Sequence, residues 1–210
     1  TGEKIAFFNQ VVEAYLAGKR HVWAEPLDRD TIRALASGEI DLASSPEAEV
    51  TPELAALATQ LGHQPLAILN AVRNRIAPEA YYGSKKGAAA TLHDGAGNDF
   101  DTAALLIALL RASQIPARYE YGTLRLTAEQ AKWLTGAADV ARAAFLLSQA
   151  GMPAAAASGN TLLVERAWVR AFVPYSDYRG SGLGGEGAWV RLDASLKPVD
   201  WTKGLDLRGL

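Results

Sequence analysis

Apolar residues recur every three or four positions through most of the first half of the chain, a spacing typical of amphipathic helices. The pattern predicts a first helix that ends at Gly18. A second is predicted to start at Thr51, because the Pro52 that follows is tolerated in a first turn, and to end at Gly62. A third covers residues 65–76, and its apolar face is predicted to consist of Leu66, Leu69, Val72 and Ile76.

A longer and more apolar helix is predicted over residues 99–113. Its centre, AALLIALL, has no polar face, which indicates a helix buried on all sides. Asn98 is a favourable N-cap, and the acidic residues Asp99 and Asp101 suit the positive end of the helix dipole. Pro116 cannot continue the helix, so the chain is expected to leave it there.

Alternation of apolar and polar residues replaces the helical spacing in the second half. Strands are predicted over residues 117–126, 161–175 and 188–198, and the Gly-rich segment RGSGLGGEG joins the last two as a hairpin. Thr127 and Gln130 fit a capping box that opens a helix, and another helix is predicted over residues 139–150. The small-residue segment 153–159 is predicted to be a loop.

Helices come first and strands later, which predicts an α+β fold with a helical N-terminal layer packed on an antiparallel β-sheet. The 210 residues are enough for one compact domain. We expect residues 1–50 to form a helical extension packed on a core at residues 51–210. The first residues, Thr1-Gly2-Glu3, suggest an excised fragment of a larger protein.

Composition narrows the function classes. A net charge of −2 gives no electrostatic reason to bind nucleic acid, and no apolar run approaches the ~18 residues that span a bilayer. We therefore predict neither a nucleic-acid partner nor membrane insertion. The absence of cysteine excludes disulfides, Cys-ligated zinc and thiol nucleophiles. The three histidines show no metal-ligand spacing, and RGSGLGGEG does not lead from a strand into a helix, so no metal or cofactor is expected.

Several blocks of the sequence, in order, resemble the transglutaminase-like domains, relatives of the papain-like cysteine proteases. The blocks are Ala103, LLRA (109–112), IPAR (115–118), AWV (167–169) and the Trp189-x-x-x-Asp193 strand. Narrower similarities, in YYGSKKGAAATL, GNDFDTAALLIALLRASQIPARYEYGT and WVRAFVPY, are to degenerate domains of large exported bacterial proteins, some of the Rhs type. The resemblance implies a transglutaminase-like, papain-like fold.

In the family, a cysteine begins the buried helix, a histidine precedes the Ala-Trp pair, and an aspartate orients the histidine. The resemblance places Asp99 in the cysteine position, Arg166 in the histidine position and Asp193 in the position of the orienting acid. A helix dipole and a nearby arginine both favour an ionised carboxylate, so we expect a low pKa for Asp99. We also expect a bidentate pair between Arg166 and Asp193.

Arginine does not exchange protons near neutral pH, so the resemblance implies a domain that has lost its catalytic triad. The function expected is binding or scaffolding within a larger exported bacterial protein, located outside the cell, on its surface or in the periplasm. The expected partner is a peptide or protein segment, or a glycan, held in the old cleft. The residues expected to contact it are Asp101, Trp168, Tyr82, Lys86 and His93.

Two alternatives stay open. The chain could be an active hydrolase that uses Asp99, Asp101 or Asp193 as acid and base on a glycan or an amide. A carboxyl group that titrates well above about 5 would favour this enzyme. The chain could also be a structural spacer without a ligand, which a groove filled by Tyr82 or Trp168 would favour. The sequence leaves ligand, flanking domains and oligomeric state open.

Overall fold

The computed structural model describes residues 41–174 and 187–199. The chain divides into two units, residues 1–37 and 38–210, and all described residues belong to the second unit. The helix predicted before Gly18 and most of the predicted extension at residues 1–50 lie outside the described residues. The Gly-rich hairpin loop also lies outside them.

The helical layer begins with α1 (Pro52–Gln60) and α2 (Pro65–Arg75). Thr51 caps α1 as predicted, accepting a hydrogen bond from the Leu54 backbone N–H. The face predicted for α2 is partly wrong: Ile68, Val72 and Ile76 are buried, whereas Leu66 is 60% exposed. Ile68 lies four positions from Val72 and eight from Ile76, so the three form one stripe from which Leu66 is rotated away.

A short parallel pairing of β1 (Ala77–Pro78) with β2 (Ala96–Gly97) frames the helix α3 (Gly87–Asp94). Directly after β2 the central helix α4 (Asp99–Ala112) begins. The prediction for α4 is confirmed: Asn98 caps it through the Asp101 backbone N–H, and every residue of AALLIALL is at most 5% exposed. Helices α1, α2 and α3 and the strand β5 all contact it.

The sheet is antiparallel, as predicted, and built around β5 (Thr161–Pro174). One edge of β5 pairs with β3 (Ala117–Thr127) along its length. The other edge pairs with two strands in succession: β4 (Ala154–Ala157) at residues 161–164 and β6 (Gly187–Leu192) at residues 169–174. The loop predicted at 153–159 is therefore wrong, because edge pairing makes a strand of four alanines that have little strand propensity themselves.

Between β3 and β4 the chain forms α5 (Ala128–Thr135) and α6 (Val140–Gln149). The capping box of Thr127 and Gln130 opens α5 as predicted, and Asp139 caps α6. These helices cover a second apolar cluster against the sheet, formed with residues such as Leu126, Leu162 and Val164. The two clusters lie on different parts of the sheet.

Gly122 on β3 gives room to the Trp168 indole on the neighbouring strand. A Cβ atom at position 122 would lie 2.9 Å from Trp168 Cη2, and the indole is held by its Nε1 donating to Glu120 Oε2 at 2.7 Å. We expect Gly122→Ala to lower the free energy of unfolding by about 1–3 kcal/mol, measured by chemical denaturation. In a Trp168→Phe background the same change should cost much less. An equal cost in both backgrounds would contradict this explanation.

Candidate functional site

Asp99 fills a gap in the pairing of the sheet. Within the described part of the chain, strand β5 has no backbone partner at residues 166–168 on the edge that carries β4 and β6, between the Glu165 N–H, which donates to the Pro153 carbonyl, and the start of β6 pairing at Val169. At this gap the Ala167 backbone N–H donates to Asp99 Oδ2 at 2.7 Å, and Asp99 is only 3% exposed. The start of α4 thus satisfies a backbone donor that a continuous strand would otherwise satisfy.

Arg166, next to this gap, is the largest fully buried side chain among the described residues. Its Nη2 donates to Ser195 Oγ at 2.5 Å, and Ser195 Oγ donates to Asp193 Oδ1 at 2.7 Å. The direct separation between Arg166 Nη2 and Asp193 Oδ2 is 3.9 Å. The expected bidentate pair is therefore wrong: a serine hydroxyl bridges the two charges, and Asp193 Oδ1 also accepts from the backbone N–H groups of Ser195 and Leu196.

A cleft of about 210 Å³ opens beside these residues. Its polar wall comes from the start of α4 and from the sheet, and includes Asn98, Asp99, Arg166 and Ser195. Its apolar wall comes mainly from α5 and α6, with Leu134, Leu146, Leu147 and Met152. The segment after β1 forms the rest, with Pro78, Glu79 and Ala80.

Two buried polar atoms of the cleft residues have no hydrogen-bond partner among the described residues: Asp99 Oδ1 and Arg166 Nε. Burial, the largest effect, raises the pKa of Asp99, while the charge of Arg166 and the Ala167 N–H act against it. The expectation of a low pKa is therefore wrong in direction. Asp99 and Arg166 form no ion pair within 4 Å. The attraction of the arginine therefore offsets only part of the free energy that the Asp99 carboxylate loses when it is removed from water.

Asp101, two residues after Asp99, points to the opposite side of α4 and is completely buried. It accepts hydrogen bonds from five donors. They are the Tyr81 and Ser84 hydroxyls at 2.5 and 3.1 Å and the backbone N–H groups of Lys85, Lys86 and Gly87 at 3.0–3.2 Å. Its carboxylate anchors the loop before α3 and has no free lone pair to offer to a ligand.

The other residues expected at the ligand site do not line the open cleft. The Tyr82 hydroxyl pairs with that of Tyr121, and the Trp168 indole covers the sheet beside Gly122. Lys86 is closer, because its Nζ donates to Glu79, which lines the cleft. The side chain of His93 is 89% exposed, with Asp94 as its contact. The structure thus brings Asp99, Arg166 and Asp193 together, whereas Tyr82, Lys86, His93 and Trp168 do not line the open cleft.

Three parts of the site were not identified from the sequence. Ser195 is the first, although an aspartate two residues before a serine is a common signal for a turn that accepts backbone N–H groups. The Ala167 backbone N–H is the second, and side-chain patterns carry no signal for it. The third is the wall from α5 and α6, which depends on tertiary packing. Among residues 41–174 and 187–199, no group of three or more potential ligands could hold a metal, and no helix could cross a membrane.

The raised pKa of Asp99 predicts a specific pH dependence. A carboxyl whose folded pKa exceeds its ordinary value of 3.8 stabilises the fold below that value and loses the contribution as pH rises through the folded pKa. Asn at position 99 imitates the protonated acid. We expect Asp99→Asn to be within about 1 kcal/mol of wild type at pH 4. Above the folded pKa it should be more stable than wild type, by ~1.4 kcal/mol for each pH unit that separates the folded and ordinary pKa values.

Urea denaturation of both proteins between pH 4 and 8 measures this difference. Subtracting the two curves removes the contributions of all other titrating groups. The opposite result would be a stability loss on Asp99→Asn that is larger at pH 7 than at pH 4. In that case Asp99 is ionised and stabilised by Arg166, and its pKa is lowered rather than raised.

The family of the chain follows from its similarity to known proteins. Residues 48–194 match the model of the transglutaminase-like superfamily, whereas no curated protein matches the chain. One similar structure, provisionally described as a cysteine protease from Cytophaga hutchinsonii, has 20% identity and a TM-score of 0.42 over 80% of this chain and 43% of that one. Another is the periplasmic domain of TgpA from Pseudomonas aeruginosa bound to ethylmercury, with 22% identity and a TM-score of 0.42 over 74% and 47%. The chain spans less than half the length of either structure. Because the family model covers more than half of the sequence, the chain belongs to the transglutaminase-like superfamily.

Proposed function

We propose that this chain is a catalytically degenerate transglutaminase-like domain that binds a peptide or protein segment in the cleft between α4, β5 and α6. One observation carries the proposal. The positions that the family uses for its nucleophile and base hold buried Asp99 and Arg166, and each has a polar atom without a partner among the described residues, beside an open cleft. Buried polar atoms are rarely left unpaired in a folded protein, and a ligand bound in the adjacent cleft would complete these two.

Acyl transfer by the family's route lacks both its thiol and its proton carrier. The chain has no cysteine, and a guanidinium does not release its proton near neutral pH. The hydroxyl that lies between Arg166 and Asp193 is that of Ser195. Its base would have to be Asp193, whose Oδ1 holds the Ser195 hydroxyl together with the backbone N–H groups of Ser195 and Leu196 in a turn. These features favour binding over catalysis.

The proposal includes the setting of the domain. We place it in a larger exported bacterial protein, outside the cell, on its surface or in the periplasm. A purely structural spacer is less well supported, because the cleft lined by Asp99 and Arg166 is open. Neither Tyr82 nor Trp168 lines the open cleft.

A cleft-blocking variant tests the binding function. Ala80 is exposed at the rim of the cleft, so Ala80→Trp should fill the entrance without disturbing the core. Ala90, exposed on α3 and outside the cleft lining, gives the matched control Ala90→Trp. We expect a library displaying both internal segments and free carboxyl termini to yield peptides that bind wild type and Ala90→Trp but not Ala80→Trp. If no peptide depends on position 80, the cleft is not a peptide site.

The raised pKa of Asp99 supports one second candidate, a hydrolase in which Asp99 donates a proton to a leaving group. The same selected peptides distinguish the two functions. Incubation at pH 5–7 followed by mass spectrometry should return them intact if the domain only binds. Cleavage that disappears in Asp99→Asn would establish the enzyme.

A further inference from the structure

The cleft carries information about the chemistry of its ligand, and an inference about that chemistry rests on the proposed binding function. Two features are decisive: the identity of the two unpaired buried atoms, Asp99 Oδ1 and Arg166 Nε, and the apolar wall that faces them. Each feature excludes ligand classes that the proposed function alone leaves open.

The donor or acceptor character of the two unpaired atoms limits the ligand class. Arg166 Nε always carries a hydrogen, so it needs an acceptor on the ligand. Asp99 Oδ2 already accepts from the Ala167 N–H, so a proton on this carboxyl is placed at Oδ1, where the described residues offer no donor. A protonated Oδ1 and the Nε–H are then two donors that the ligand must satisfy. An ammonium group fits neither donor, and it would add a second buried cation beside Arg166.

We propose that the cleft binds a carboxylate with an apolar substituent, whose oxygens accept hydrogen bonds from Arg166 Nε and from a proton shared with Asp99 Oδ1. If Asp99 is ionised before the ligand binds, the protein therefore takes up one proton for each carboxylate that it binds. The elevated pKa that burial gives Asp99 makes this proton easier to take up than at an ordinary aspartate.

The size and lining of the cleft define the substituent. A cavity of about 210 Å³ is smaller than the ~300–1,000 Å³ of pockets for drug-sized molecules, so it has room for one branched aliphatic group. Leu134, Leu147 and Met152 supply an apolar surface for it. The carboxyl terminus of a peptide that ends in leucine and a free branched fatty acid share this chemistry.

The charged groups around Asp99 are consistent with uptake of a proton. Arg166 on β5 supplies one positive charge, and Asp193 after β6 supplies one negative charge that the Ser195 hydroxyl shares. Asp101 on α4 is fully engaged with the loop before α3, and Glu79 at the rim is paired with Lys86. The cleft-lining residues from α5 and α6 carry no titratable group. A second anion therefore enters favourably only if Asp99 is neutral.

Three probes with one carbon skeleton test the ligand class: 4-methylpentanoate, 4-methylpentanamide and 4-methylpentylamine. Binding is followed by chemical shift changes in two-dimensional NMR spectra between pH 5 and 8. We expect the carboxylate to bind at least tenfold more tightly than the amide or the amine. Above the pKa of Asp99 its affinity should fall about tenfold per pH unit. Asp99→Asn, with a permanent N–H donor, should remove that slope, and Arg166→Met should weaken binding at every pH.

Peptides that end in leucine, with a free or an amidated carboxyl terminus, distinguish the two sources of the carboxylate. A free terminus that binds more tightly than 4-methylpentanoate assigns the site to a peptide end, and the reverse assigns it to a free acid. An amide or amine that binds as well as the carboxylate, or affinity without a pH slope, overturns the ligand class. If Ala80→Trp still blocks those probes, the binding cleft itself stands. If no probe responds to Ala80→Trp, the ligand class is wrong, and the peptide selection against Ala80→Trp decides the binding function separately.

Discussion

Asp101→Ala is expected to destabilise the domain by about 3–5 kcal/mol, enough to unfold a domain of ordinary stability. The carboxylate is completely buried and accepts from five donors on the segment 81–87, the shortest contact being 2.5 Å from the Tyr81 hydroxyl. Alanine would leave these donors facing a small cavity in which water can replace only some of the hydrogen bonds. Thermal and urea denaturation followed by circular dichroism measure the loss.

Asp139→Ala is the matched control, because it removes an exposed carboxylate that caps α6 through a bond from the Arg142 N–H. We expect it to cost ~1 kcal/mol, the usual value of an N-cap. The stability loss for Asp101→Asn should lie between those of Asp101→Ala and Asp139→Ala, because asparagine keeps one acceptor oxygen but adds two donors. If Asp101→Ala costs no more than Asp139→Ala, the loop before α3 is not held by this carboxylate.

The contrast between Asp99 and Asp101 shows what a helix-start pattern leaves undetermined. Both residues lie in the first turn of α4, where the dipole favours an acid, and the local pattern indicates the same role for both. Two positions along a helix correspond to a rotation of about 200°, so the side chains face opposite directions. Asp99 meets the gap in the sheet and Asp101 meets the loop, and only the tertiary structure separates an anchor from a ligand-site residue.

Elements with strong local signals were predicted well. The caps at Thr51, Asn98 and Thr127, the buried run in α4 and the alternation in β3 and β5 all derive from short-range patterns, and the structure confirms them. The errors concern features that depend on neighbours far along the chain. The alanines of β4 become a strand only because β5 offers an unpaired edge. The orientation of α2 follows from packing against α4.

For the candidate site, the sequence predicted which residues come together but not how they contact each other. The order of the family-like blocks identified Asp99, Arg166 and Asp193, which the structure brings together, but not the contacts among them. The sign of the pKa change at Asp99 was wrong because a helix dipole contributes only ~0.3–1 kcal/mol, whereas full burial of a carboxylate costs several kcal/mol. Burial at the gap between β4 and β6 could not be inferred from a first-turn position.

Arg166→Ala is expected to cost about 3–5 kcal/mol, because it removes the largest fully buried side chain of the described residues and the positive charge that acts on Asp99 and Asp193. Arg166→Met fills most of the same volume without the charge, so it isolates the electrostatic part of the loss. Where Asp99 is protonated, the charge that loses its positive neighbour is that of Asp193, whose Oδ1 keeps three donors. We therefore expect Arg166→Met to cost less than half as much as Arg166→Ala at pH 5.

The difference between these two variants should depend on pH in a defined direction. At pH 8 an ionised Asp99 would face the thioether in place of the cation, so Arg166→Met should lose further stability as pH rises. Adding Asp99→Asn should recover the stability lost at pH 8. A double-mutant cycle by urea denaturation at pH 5 and pH 8 measures the coupling between the two positions. A coupling that is equally large at both pH values would mean that Asp99 stays ionised throughout. Arg166 would then be the permanent partner of a charged carboxylate, and the proton available for a bound carboxylate would not exist.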